Sequence, residues 1–186
     1  MRMRKQKHFD RRWDAAAEKF LVEQPEEQGG KWRGGYNGVR VELGCGKGLY
    51  LSRQAVMSPD VLFVGVEKQQ AVLLSAMELA AREGLRNAVF VYGDVDDLES
   101  WFGDGEIDRL DILFCDPWPE VRRVKRRLSH RRYLEIYARL LKKNGIIAIK
   151  MKLAALSVRS ASRSSTLECC DIIIPNIIIK QNDQIK

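Results

Sequence analysis

From residue 39 onward, short unbroken apolar runs alternate with longer stretches in which apolar residues recur at helical spacing. Residues 39–43 form the first run and end at Gly44, which predicts a buried strand, and residues 47–57 suit a helix. A second strand is predicted over 61–66, bounded by Pro59-Asp60 and Glu67. Residues 69–84 place Val72, Leu73, Ala76, Leu79 and Ala80 on one helical face, and Gly84 closes it. Residues 88–91 read as a third strand, 94–102 as one or two helical turns, and 110–115 as a fourth strand. The helical pattern returns over 131–142 through Tyr133, Leu134, Tyr137, Leu140 and Leu141, stops at Gly145, and gives way to a fifth strand at 146–149. Strand and helix in alternation imply parallel βαβ units. Strands that are apolar throughout imply a sheet covered on both faces. The predicted fold is α/β: a doubly wound, mostly parallel sheet with helices on both faces.

The two ends depart from this rhythm. Residues 1–24 are charged, with Phe9, Trp13, Phe20 and Leu21 interspersed, as in a basic arm leading into a short amphipathic helix. Residues 25–38 are rich in Gly and polar residues and read as a loop. Beyond Lys150 the composition shifts: 152–170 is rich in Ser, Ala and Arg, and the Ile-rich block 172–179, broken by Pro175 and Asn176, suits a strand or hairpin. The expected organisation is a basic arm and loop (1–35), one globular unit (36–150) and an atypical C-terminal segment (151–186) whose strands are incomplete.

Composition adds two points. The chain of 186 residues carries a net charge of +7, and the cations are clustered. Residues 1–12 hold six basic side chains against Asp10, and 120–132 hold seven against Glu120. Such stripes displace counterions from a phosphate backbone, or else are solvated helix faces. The cysteines, Cys45, Cys115, Cys169 and Cys170, contain no CxxC pair, and His8 and His130 are the only histidines, which argues against a zinc site. Neither a signal peptide nor a bilayer-length apolar run is read, so a cytoplasmic protein with reduced thiols is expected.

The candidate chemistry sits at predicted strand ends. The first strand runs into Glu42-Leu43-Gly44-Cys45-Gly46-Lys47-Gly48. Gly44, Gly46 and Gly48 allow a sharp turn and a close backbone approach to a ligand. A dinucleotide loop wants GxGxxG, whereas the spacing here is GxGxG with Leu49 following, and an acid at position 42 suits a cationic ligand better than a pyrophosphate. The second strand ends in Glu67-Lys68, where a carboxylate can accept from both hydroxyls of a ribose, and the third in Gly93-Asp94, where one can accept from an adenine amino group or cap the next turn. S-adenosylmethionine is the cofactor these residues favour, with NAD as the competing reading. The fourth strand ends in Asp116-Pro117-Trp118-Pro119. Two prolines keep that backbone extended, so that a carboxylate beside an indole can hold a flat base, or simply form a stiff turn.

Taken together, residues 41–48, 64–68, the Asp-Pro-Trp-Pro at 116–119 and the Lys-Arg-Arg-Leu at 125–128 resemble the bacterial tRNA (guanine-N7)-methyltransferases over about residues 36–150. The last two motifs carry most of the specificity, since the glycine loop is common to many methyltransferases. The resemblance implies a Rossmann-like class I methyltransferase fold and methyl transfer from S-adenosylmethionine to N7 of a variable-loop guanine. It implies cofactor-binding roles for Glu42, Gly44, Gly46, Gly48, Glu67, Lys68, Asp94 and Asp116, and a catalytic role for Asp116. Trp118, Glu120, Arg122, Lys125, Arg126 and Arg127 fall on the tRNA side. A monomer or weak homodimer, with no metal and no membrane partner, is the expectation.

Three positions depart from the family pattern. Glu120 stands where the family has Lys, Arg123 stands where it has His, and the fifth strand leads into Lys150-Met151-Lys152 where the family has Lys-Thr-Asp. A catalytically impaired homologue that binds cofactor or RNA is the alternative these departures raise.

Overall fold

The computed structural model describes residues 8–115, 121–151 and 171–175. Helix α1 (Phe9–Phe20) leads into a 3-10 turn at Pro25–Gln28. Strand β1 (Gly38–Leu43), helix α2 (Leu49–Met57), strand β2 (Val61–Glu67), helix α3 (Gln70–Arg82) and strand β3 (Ala88–Tyr92) follow. A 3-10 turn at Val95–Asp97 runs into α4 (Leu98–Trp101), then β4 (Ile107–Cys115), a 3-10 turn at Val121–Arg126, α5 (Arg131–Leu140), β5 (Leu141–Met151) and β6 (Asp171–Pro175).

The strands form one sheet in the order β3-β2-β1-β4-β5-β6. The first five are mutually parallel and β6 pairs antiparallel with β5, Ile147 opposite Ile174. The order reverses between β1 and β4, so the crevice outside their carboxyl ends is where an open sheet of this kind receives a ligand.

Alternation along the strands divides the core in two. Val39, Val41, Leu43, Leu110, Ile112, Ile147 and Ile149 face one side and pack with Trp32, Trp101, Phe102, Tyr133 and Tyr137. Phe63, Ala88 and Phe90 face the other and pack with Leu51, Ala55, Leu73, Leu74 and Met77 of α2 and α3. The apolar positions predicted for the 69–84 helix are thus its inner face. It ends where Gly84 takes a left-handed φ of 65°, a conformation that suits Gly and stops a helix. Helix α1 closes the β3 edge: its Arg12 grips Glu78 of α3 with 2.6 Å contacts, and Val22 N–H donates to the Phe90 carbonyl at 2.9 Å. This covers an edge strand that would otherwise offer free backbone groups.

Two stretches differ from their predicted form. Residues 25–38 are packed, not a bare loop. Trp32 is buried, stacks on Phe102 at 4.9 Å and donates to the Trp101 carbonyl, while Glu106 accepts from the Gly30 and Trp32 amides. The helix predicted through Lys142 ends at Leu140, and β5 starts at Leu141. Its early start is fixed from outside the segment, since Leu141 pairs with Ile107 and Lys142 reaches Asp108.

Phe90 lies at the centre of the second core, fully buried and edge-on to Phe20 at 6.5 Å. Phe90→Ala is expected to cost about 3–5 kcal/mol, because a cavity forms where the ring stood. Urea unfolding, read as a fall in midpoint at unchanged slope, measures it.

Candidate functional site

The glycine loop leaves β1 at the carboxyl end of the sheet and is folded by its own backbone. Gly44, Gly46 and Gly48 all have left-handed φ, 70°, 58° and 72°. The Gly44 and Cys45 amides donate to the Val66 carbonyl of β2 at 2.8 and 3.0 Å. Gly48 opens α2 and lies so close to α3 that a Cβ there would stand 2.9 Å from Ala76 Cβ. Glycine is favoured here for two separate reasons: a left-handed conformation at all three positions, and close approach to Ala76 at Gly48.

Glu67, the last residue of β2, braces the loop. One carboxylate oxygen accepts from the Gly46 amide at 3.2 Å and the other from the Gln69 amide at 2.9 Å. The adjacent strand brings Tyr92 into register with Glu67, and the Gly93 amide donates to the Glu67 carbonyl at 3.3 Å. Asp94 follows directly, exposed enough to meet a ligand. It accepts weakly from the Asp96 amide at 3.5 Å, as a cap would, and lies 3.7 Å from Lys68. Both roles of Asp94, ligand acceptor and cap, are compatible with that position. Thus Glu67, Lys68 and Asp94 are brought together on neighbouring strand ends beside the glycine loop.

Glu42 is different in kind. It is only 7% exposed, and its Oε2 has no hydrogen-bond partner among the described residues. Burial first, and the nearby Asp111 second, push its carboxyl up to about 8, against the opposing pull of the Leu51 amide. A buried acid with an unclaimed oxygen costs stability unless a ligand or proton satisfies it. A loop of left-handed glycines, an orphaned buried carboxyl and two further acids at the next strand ends suit a small ligand carrying a cationic group and hydroxyls.

The catalytic candidate Asp116, together with Trp118 and Glu120, lies outside the described residues. Of the predicted cationic surface, Arg122, Lys125 and Arg126 are exposed on the 3-10 turn Val121–Arg126, and Arg127 is half-buried.

Sequence reasoning missed two groups. Asp96 accepts from Tyr133 Oη at 2.7 Å and from Arg132 at 2.9 Å, tying the start of α5 to the turn after Asp94. Asp111 lies 3% exposed in mid-strand and is held by Arg109 through Nε at 2.9 and 3.1 Å. Asp111 left a trace, since it is the one charge in the otherwise apolar run 110–115 and falls on the same strand face as Arg109. The Asp96 contact left none, its partners being 36 and 37 positions away.

A family profile described as "Putative methyltransferase" matches residues 37–183. The chain belongs to that family. The match passes through Lys150 and includes β6, so the change in composition there falls inside the family's span. Among curated proteins, the chain is similar to the tRNA (guanine-N(7)-)-methyltransferase of Geobacillus kaustophilus (strain HTA426), 38% identical over 139 residues, 73% of this chain and 64% of that protein. It is also similar to the protein of the same name from Streptococcus pneumoniae (strain 70585), 40% identical over 134 residues, 70% of this chain and 64% of that one. The chain therefore spans less than two thirds of the length of these relatives. Among solved structures, it resembles an antibiotic-related methyltransferase (TM-score 0.54, 21% identity, 72% of this chain and 67% of that one). It likewise resembles the antibiotic-resistance methyltransferase Kmr (TM-score 0.54, 24% identity, 69% and 65%). At these identities the likeness is one of fold: the doubly wound α/β architecture expected from the strand–helix rhythm, in the Rossmann-like methyltransferase form that the motif resemblance implied.

Proposed function

We propose that this chain is a tRNA (guanine-N7)-methyltransferase, using S-adenosylmethionine to methylate a variable-loop guanine. The observation that carries the reading is the braced glycine loop beside a buried Glu42 whose Oε2 has no partner among the described residues, in a chain 38–40% identical to curated proteins of that name.

When bound, S-adenosylmethionine supplies an electrophilic methyl carbon. The protein's own part is positioning. Glu42 offers its free oxygen to a cationic group of the cofactor. Glu67, at the end of β2, suits ribose hydroxyls, for which its two oxygens would be shared with the Gly46 and Gln69 amides. Asp94 would accept from the adenine amino group, with Lys68 3.7 Å away. The chain leaves β4 at Cys115, on the strand beside β1, and Asp116 follows. Asp116 orients the guanine by accepting from its N–H edge. Guanine N7 carries a lone pair and no proton at neutral pH, so no residue has to act as a general base. Rate enhancement then comes from orientation and from fixed charges around the site. The target base must leave its stack to reach such a site. Arg122, Lys125, Arg126 and Arg127 serve phosphates and carry no sequence information.

Incubation of the purified chain with unmodified tRNA and methyl-labelled S-adenosylmethionine tests the reading. Label is expected at N7 of a variable-loop guanine. Cofactor binding without transfer, or label on another base, would refute it. In the same assay, replacing Lys125 and Arg126 by Ala should weaken tRNA binding on all sequences alike. It should also reduce the salt slope by roughly one for each phosphate no longer neutralised. An unchanged slope would place the tRNA elsewhere.

A further inference from the structure

Two buried carboxyls face each other across neighbouring parallel strands. Glu42 of β1 is in register with Asp111 of β4, and both are almost wholly buried, 7% and 3% exposed. A structural ion pair would explain Asp111 alone, because Arg109 from the same strand holds it through Nε and through Nη2 at 2.9 Å. It does not explain the second acid. Arg109 is committed to Asp111, and the Glu42 Oε2 is left with no partner among the described residues. Two like charges at this depth are costly, and one of the pair resists ionising until a cation joins it.

We propose that Asp111 is a positioning residue acting through Glu42: by drawing Arg109 to itself and standing as a second carboxylate beside the buried Glu42, it adds to burial in making arrival of a cationic ligand at Glu42 Oε2 expel a proton. The proton leaves the Glu42 carboxyl, which becomes a carboxylate paired with the ligand's cation, and passes to solvent. The proposal rests on reading the crevice as a cofactor site and adds the residue that controls its loading.

The groups around Glu42 fit that role. From β4 come Asp111 and Arg109. From α2 comes Tyr50, whose hydroxyl burial and the nearby Asp111 push up and which hydrogen-bonds Arg109. From the glycine loop comes Cys45, buried and held as a neutral thiol by burial first and then by Glu42 and Glu67. Glu67 lies at the end of β2. On β1 itself, Arg40 is turned to Gln54 at 3.4 Å and to the face of Phe63. On β5, Lys150 is in register with Leu113, one strand beyond β4. Among the described residues no cation is seen to pair with Glu42.

The folded, unliganded protein keeps the Glu42 proton up to about 8, whereas the unfolded chain releases it near the ordinary 4.5. Stability of the unliganded protein therefore falls as pH rises through that window and levels off above it. Ligand affinity moves oppositely. It rises with pH by up to about tenfold per unit across the window, then flattens.

The test is calorimetric titration of the full chain with S-adenosylhomocysteine, whose amino group supplies the cation, at pH 7 in two buffers of different ionisation enthalpy. Release approaching one proton per ligand is expected for the wild type and none for Glu42→Gln. For Asp111→Asn the release should drop, and the midpoint of the affinity–pH curve should move to lower pH. If Asp111→Asn does not fold, the double replacement R109Q/D111N removes both charges, keeps the surroundings of Glu42 polar, and is read in the same way. Binding with no proton release in the wild type, or release unaltered in both Asp111 variants, overturns the proposal and leaves the cofactor reading standing. No binding by the wild type overturns the cofactor reading and the proposal together.

Discussion

Gly48→Val is expected to destabilise the protein by about 3 kcal/mol or more, from roughly 1–2 for the left-handed backbone and 1–3 for overpacking. The two costs come from different facts. Gly48 has φ 72°, which a β-branched residue adopts with strain. Its Cβ would also meet Ala76, 2.9 Å from the Cβ and 3.2 Å from the Cα. The second contact is with backbone in a buried helix, so no side chain can rotate away. At about 2–4 °C per kcal/mol for a chain of this size, the melting temperature should fall by roughly 10 °C. Relief of the clash would lift the loop from α3 and carry the Gly46 amide away from Glu67, so S-adenosylmethionine binding should also be lost. Gly35→Ala is the control, since a Cβ there meets nothing within 4 Å. Differential scanning calorimetry of both variants decides. A melting temperature for Gly48→Val within a degree or two of wild type would mean the loop does not pack against α3 as described.

Asp116→Asn is expected to slow methyl transfer by about 10²–10³-fold while leaving S-adenosylmethionine bound, the size of effect found when one oriented polar contact is removed from a transition state. A carboxylate can accept from both the N1–H and the exocyclic amine of guanine. An asparagine presents one acceptor and turns a donor toward the second N–H, so the base is both less held and mis-aimed. This gives a second, independent reading: inosine at the target position lacks the exocyclic amine. Wild-type enzyme should lose rate on inosine-containing tRNA, and Asp116→Asn should lose little more. Single-turnover rates with cofactor saturating separate this from a binding defect. Near-normal turnover by Asp116→Asn, or an inosine effect as large in the variant as in wild type, would remove Asp116 from the mechanism.

Legibility in the sequence follows the range of the interaction that decides each feature. The five parallel strands and the helices between them are local. Val61–Glu67 and Gln70–Arg82 each carry their own hydrophobic period and their own stop, and both form within two residues of the expected bounds. The glycine loop and the acids at positions 42, 67 and 94 were also legible, because a doubly wound sheet delivers the ends of all its parallel strands to one side. Their different conditions were not. Glu67 and Asp94 are accessible and partnered, while Glu42 is buried and short of a partner.

The sequence by itself determined the fold class, the gathering of the candidate acids at the strand ends, and the family to which the motifs at 41–48, 64–68, 116–119 and 125–128 point. These rest on periodicity and on short motifs, which are properties of consecutive residues. Only the tertiary structure decided what each acid is worth. Asp111 stands beside Glu42 because β4 pairs with β1, a pairing between segments almost seventy positions apart. Asp96 becomes the anchor of α5 for the same reason. Burial and charge proximity are set by which strands and helices become neighbours, and they, not residue type, determine whether a carboxyl is an exposed acceptor, a structural ion-pair partner or a proton-holding group awaiting a cation.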